Sequence, residues 1–259
     1  MRSAPRNTPL TFWFVASVLT AQPALAAPAP DAASLCALAL EHRPTEQLQE
    51  RMTCTIESEH AVPKGSPLRR AVILRLPLDS GVDQVLMIET AAKPSTWVDQ
   101  GVVSRSVPPG TGELMRESGT LDGVAVHARK SGAVLEVVSS WQREVDDLRG
   151  VAVSSWRERL WCGFTKEVVC IAVPDRLNVS SRGDVPGLVP TAWTRTVSLS
   201  DTGDIAIGDK VGEGELSLGD PGPGSHSPAS LADRPFVRRY PMIPLVHPDQ
   251  VDPDGLPVP

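Results

Sequence analysis

Three groups of residues in this 259-residue chain are of types that do chemistry. The first is Asp201-Thr202-Gly203, a tripeptide used in paired-aspartate hydrolysis, where two carboxylates share one proton and activate water. That chemistry has an aliphatic residue ahead of the tripeptide and a small or hydroxylated one after it. Here Ser200 and Asp204 hold those places, and the chain carries no second copy. A tight turn between two strands accounts for the same residues. The second group is a repeated spacing, Cys36-x4-Glu41-His42 and Cys54-x4-Glu59-His60. A metal needs imidazoles and carboxylates from both copies to converge. Six residues turn a helix by about 600° and lengthen a strand by about 20 Å. A bridge from Cys36 to Cys54 therefore does not bring His42 and His60 together.

The third group is what remains of nucleophiles and bases. The chain contains no G-x-S-x-G elbow and no H-E-x-x-H run. Of its five histidines, His226 and His247 lie near the C-terminus, and His127 alternates with Val126 and Ala128 as a strand residue does. Gly222 and Gly224 stand among prolines, not ahead of a helix, so they make no phosphate-binding loop. No catalytic, cofactor-binding or metal-ligating residue is assigned on this basis, and no cofactor is implied. Asp201, Glu57 and Glu59 are the carboxylates on which an alternative reading, a secreted hydrolase, would have to draw.

The cysteines have a structural use, and the N-terminus explains why. Arg2 and Arg6 precede an apolar run over 10–19, Pro23 breaks it, and Ala24-Leu25-Ala26 is a small-x-small cleavage signal. This is the layout of a secretory signal peptide over 1–26, cut after Ala26, with an apolar run too short to anchor in a bilayer. The expected location is the periplasm or the medium. Disulfides persist there, and the four cysteines include no C-x-x-C pair. They are expected to bridge as neighbours, Cys36–Cys54 and Cys162–Cys170, each closing a short loop at about 2–4 kcal/mol of stabilisation.

Composition excludes further classes. With 25 basic against 31 acidic residues, the chain lacks the cationic excess that binds phosphate backbones, so no nucleic-acid partner is expected. Loss of 1–26 removes Arg2 and Arg6 and no acid, deepening the formal charge of −6 by two. A hydrophobic content of 41% is too high for disorder throughout. No run of 18 apolar residues follows the leader, so no transmembrane helix is expected.

The elements that must position these residues are mostly strands. Asp31 is a good N-cap for a helix over 32–42, and 45–52 reads as a second short helix. Beyond residue 60, runs rich in Val, Ile, Thr and Trp are punctuated by turn residues every 8 to 12 positions. Strands are expected at 71–76, 84–90, 96–107, 113–118, 123–129, 133–145, 151–162, 168–173, 192–200, 204–207 and 214–218. The fold class is mainly β, an antiparallel sandwich or barrel-like body with one or two short N-terminal helices, α+β overall. Val138-Ser139-Ser140-Trp141 recurs as Val153-Ser154-Ser155-Trp156. The two tryptophans are equidistant from the polar turn over 146–150, so a hairpin places Trp141 opposite Trp156. With only two phenylalanines after the leader, the tryptophans are expected to serve as core and not as a surface glycan patch.

Residues 27–219 are expected to form a single β-rich domain and 220–259 a proline-rich extended tail, which holds ten of the 25 prolines. Within the tail, Phe236, Tyr240, Met242, Ile243 and Leu245 are candidate partner contacts. The functional expectation is an exported, non-enzymatic binding or structural protein. It would act as a component or accessory of a bacterial cell-envelope assembly, with a protein partner there. The alternatives are the hydrolase already described and an inhibitor or immunity-type protein that presents the Cys162–Cys170 hairpin as a rigid plug.

Overall fold

A computed structural model describes residues 31–43, 48, 52–108, 115–130, 132–147, 149–164, 167–214 and 222–232. Helix α1 (Ala32–Glu41) starts where Asp31 accepts from the Ala33 and Ser34 backbone N–H groups and from the Ser34 hydroxyl. Those bonds, the Ser34 side chain first, hold the Asp31 carboxyl below its usual pKa. Strands β1 (Thr55–Ala61), β2 (Leu68–Leu78), β3 (Gly81–Thr90) and β4 (Trp97–Ser106) follow. Then come β5 (Met115–Arg129), β6 (Gly132–Asp147), β7 (Gly150–Cys162), β8 (Cys170–Gly183) and β9 (Thr191–Thr194). Every ladder is antiparallel, and the order is sequential, closed at its far edge by β12 (Val211–Glu213) beside β9. A second sheet is built from β10 (Val197–Leu199), β11 (Ile205–Ile207) and β13 (Gly224–His226), and helix α2 (Pro228–Ala232) follows it.

Side-chain alternation turns this meander into a sandwich. One face of β2 and β3 presents Ala71, Ile73, Leu86 and Ile88, which share a cluster with Leu135, Val137, Leu160 and Ala172 of β6, β7 and β8. The opposite face of β2 and β3 presents Val72, Leu74, Leu76, Val85 and Met87, and α1 covers it with Leu35 and Ala39. The outer face of β6–β8, with Val134, Trp161, Ile171 and Val173, is covered by Val197, Ile205 and Ile207 of the small sheet and by Leu231 of α2. Strands buried on both faces read as continuous apolar runs, which is why β2 and β3 stand out in the sequence. Each such Leu or Ile, fully buried, contributes about 1.5–3 kcal/mol.

Both disulfides form as neighbours. Cys36–Cys54 ties α1 to the segment entering β1, and Cys162–Cys170 joins directly paired residues of β7 and β8. Trp141 is the cross-strand partner of Trp156, with rings stacked at 6.1 Å and 14°. The Asp201 segment is the turn between β10 and β11. There Ser200 N–H donates to the Asp204 carbonyl, and Thr202 Oγ1 donates to the Asp204 carboxylate.

Several expected boundaries differ. The Asp122-Gly123 pair is no turn: β5 runs on through it as a bulge, and the expected strands 113–118 and 123–129 merge. The strand expected at 168–173 extends as β8 to Gly183, and 192–200 divides into β9 and β10 in different sheets. Strand β1 was hidden by its polar sequence, since an edge strand with one wet face needs few apolar residues. Most of the expected helix over 45–52 lies outside the described residues; of those described, Leu48 makes an antiparallel bridge to Leu78. The first part of the expected tail belongs to the folded body. Strand β13 pairs with β11, and Leu231 is fully buried. Residues 215–218, and with them most of the expected strand 214–218, lie outside the described set.

Candidate functional site

The two halves of the meander part at one step. Between β4 and β5 the ladder shrinks to a single pair, Arg105 opposite Gly119. Glycine is required at that crossing. A Cβ on residue 119 would lie 2.5 Å from Cε3 of Trp141, whose indole fills the space above it. Two serines then fasten β4 across its neighbours: Ser104 Oγ donates to the Gly119 carbonyl at 2.9 Å, and Ser139 Oγ to the Val103 carbonyl at 2.6 Å. Net contributions of about 0.5–1.5 kcal/mol each are usual for such bonds.

Where β4 diverges, it leaves a notch of about 430 Å³ between its last residues and the strands it has crossed. Arg105, Ser106 and Val107 form one wall; Ser118, Gly119, Thr120, Ser140, Trp141, Gln142 and Ser155 form the other. Among these described residues, Arg105 is the single ionisable group. It is already engaged, bidentate to the buried Asp83 at 2.7 and 2.6 Å. Thr120 Oγ1 and Ser140 Oγ both donate to the Asp122 carboxylate, at 3.1 and 2.5 Å. The bulge at Asp122 places that carboxylate beside them.

The same outer surface carries a charged ladder across β5 to β8. His127 meets Glu136 at 2.6 Å, Glu136 meets Arg159 at 2.7 Å, and Arg159 and Arg157 converge on Asp175. Burial pushes the Glu136 carboxyl up, but hydrogen bonds from Arg159 and His127 outweigh it and leave it below its ordinary value. Burial opposes the charge on Arg159 too, and bonds to Glu136 and Asp175 raise its pKa above the ordinary range. Elsewhere the buried carboxylates Glu89, Asp99 and Glu117 are held by Arg69 and Arg70, by Arg43, and by Arg143 respectively. A buried charge without such a partner is strongly destabilising, so these pairs are scaffold.

The residues singled out in the sequence are dispersed. Glu57 accepts from Gln84, and Glu59 pairs with Arg70, both at the β1 edge; Asp201 lies in the β10–β11 turn of the other sheet. His42 approaches Asp99 at 3.4 Å, whereas His60 contacts Ser58. Among the described residues, no three His, Cys, Asp or Glu side chains gather as metal ligands. The described flanks of the Cys162–Cys170 loop are packed down, with Phe164 and Val169 in one cluster and Val168 in another. Phe236, Tyr240, Met242, Ile243 and Leu245 lie outside the described residues. The notch itself escaped sequence reading, because its serines occupy outward positions that look like ordinary solvated alternation. The available signal was hydroxyls at outward positions on three successive strands: Ser118 and Thr120, Ser140, Ser155. No protein family model, curated protein or solved structure matches this chain.

Proposed function

We propose that this chain is an exported, non-enzymatic binding protein, a component or accessory of a bacterial cell-envelope assembly, and that it engages its target through the notch at the β4/β5 split. The observation that carries this reading is the notch lining. Its polar groups are hydroxyls, one amide, the indole of Trp141 and a guanidinium neutralised by Asp83. Such a surface is built to form hydrogen bonds; it holds neither a paired carboxylate nor a base beside a nucleophile. The two disulfides support an oxidising compartment, and among the described residues no helix is long and apolar enough to cross a membrane. The leader over 1–26 and a contact by the residues around Phe236–Leu245 belong to the same proposal.

The test is retention on isolated envelope. The purified chain is sedimented with washed cell-wall and membrane fractions and compared with Ser155→Trp, which fills the notch from β7. Retention of the wild type and at least a tenfold loss in the variant, with an unchanged circular dichroism spectrum, is the expected result. Equal retention of both proteins would remove the notch from the account. A truncation meant to probe the tail has to cut after Ala232, since an earlier cut removes Leu231 from the core.

A further inference from the structure

We infer that the notch is a subsite for a neutral, polyhydroxylated ligand, a short stretch of uncharged saccharide. The inference rests on the binding role proposed above and goes on to name the chemistry of what is bound. Its basis is the bookkeeping of protons in the lining.

Thr120 and Ser140 commit their hydroxyl protons to Asp122, so each turns lone pairs toward the notch. Gln142 commits one amide proton to Glu144, at 3.1 Å, and keeps its carbonyl oxygen as an acceptor. Ser106, Ser118 and Ser155 line the same space, and their hydroxyls act as donor or acceptor by rotation. The surface is therefore rich in acceptors, and the group that satisfies it must bring donors of its own. Hydroxyls do this, since each carries one proton and two lone pairs.

Charge excludes the competing ligands. The guanidinium of Arg105 is bidentate to Asp83 and brings no net charge. The Asp122 carboxylate behind Thr120 and Ser140 repels an anion, as does the formal −6 of the chain. A phosphate, sulfate or uronate is disfavoured on both counts. A cation finds one carboxylate already occupied by two hydroxyls, not the several oxygen ligands that hard cations take. An apolar ligand would leave the hydroxyls unsatisfied. The volume, about 430 Å³, lies within the range of about 300–1,000 Å³ of small-molecule sites. Trp141 is 3% exposed and stacked on Trp156, so it leaves little ring surface for a ligand and recognition rests on hydrogen bonds. A dissociation constant of about 1 mM is the corresponding expectation.

The experiment titrates the isotope-labelled full chain, followed by amide shifts, with mono- to tetrasaccharides of glucose, galactose, mannose and N-acetylglucosamine. Inorganic phosphate and a glucuronate oligomer are the anionic arms. The expected result is saturable shifts at 118–120, 140–142 and 155 with at least one neutral saccharide. They should be insensitive to 0.5 M salt, about fivefold weaker in Ser118→Val and lost in Ser155→Trp. Salt-sensitive saturation by an anion in preference to every neutral sugar overturns the inference. So does the absence of saturation by all neutral sugars. If Ser155→Trp still loses envelope retention in either case, the ligand class is wrong and the notch stands, with a protein surface as its target. If retention is also unaffected, the binding reading itself has failed.

Discussion

The two copies of Val-Ser-Ser-Trp are the same four residues in different surroundings. Their hairpin pairs Trp141 with Trp156 and runs the copies in opposite directions, so their serines lie on opposite sides of the tryptophan stack. Ser139 points toward the large cluster and donates to the Val103 carbonyl of β4. Ser154 is just as buried, at 0% exposure, and its hydroxyl finds no partner among the described residues. On the outer face, Ser140 is bound to Asp122 and stands opposite Arg157 of the charged ladder, while Ser155 stands between Gln142 and Asn178. Identical sequence thus supplies a strand clamp in one copy and a bare buried hydroxyl in the other. What differs is contact with β4: Ser139 reaches the Val103 carbonyl, and Ser154 reaches no such acceptor among the described residues.

The largest effect tests what the copies share. Trp156→Ala should destabilise the chain by about 3–5 kcal/mol in denaturant unfolding, the usual loss for a core tryptophan. Trp141→Ala should cost a similar amount, and the double variant clearly less than the two together, because each single variant already removes the stack. Additive losses would mean that the stacked geometry contributes nothing beyond burial.

The next effect separates the copies. Ser139→Ala leaves the Val103 carbonyl without its donor and should cost about 1–3 kcal/mol. Ser154→Ala removes a buried hydroxyl that has no described partner, so stability should be unchanged or raised by about 1 kcal/mol. Equal losses at both positions, measured as midpoint shifts at constant m-value, would refute the contrast.

The smallest effect sharpens the outer-face difference through pH. In the folded chain the Glu136 carboxyl lies below its ordinary value of 4.5. A depressed carboxylate adds stability that is complete above the unfolded value and lost as pH falls through the folded one. The melting temperature should therefore fall on acidification below about pH 4.5, and Glu136→Gln should flatten part of that slope. Ser155→Val, which removes no ionisable group, should leave the slope as it is. Identical slopes for Glu136→Gln and wild type would show that the ladder does not couple to folding.

Much of this organisation was legible in the residue string. The helix start at Asp31, both cysteine pairings, the strand-rich body and the tryptophan register all follow from local rules: capping, loop length, alternation, and a turn midway between repeated residues. The notch was not legible. Its wall serines are outward residues of ordinary strands, and the Asp122 carboxylate that orients two of them comes from a bulge spelled like a turn. Strand β13 was similarly disguised, since a Gly-Ser-His segment among prolines joins a sheet only because β11 offers an unpaired edge.

By itself the sequence determined that the body is built mainly of strands, that Trp141 meets Trp156 and which cysteines pair, because period and separation are properties of the chain alone. Only the tertiary structure decided that β4 crosses β5 at a glycine, that one serine of a repeated pair becomes a clamp, and that hydroxyls from successive strands share a space with Arg105. The physical reason is that those relations depend on how sharply the sheet turns at a single paired position. No local preference encodes that angle; it is set by the competing burial of three apolar clusters on the faces of one meander.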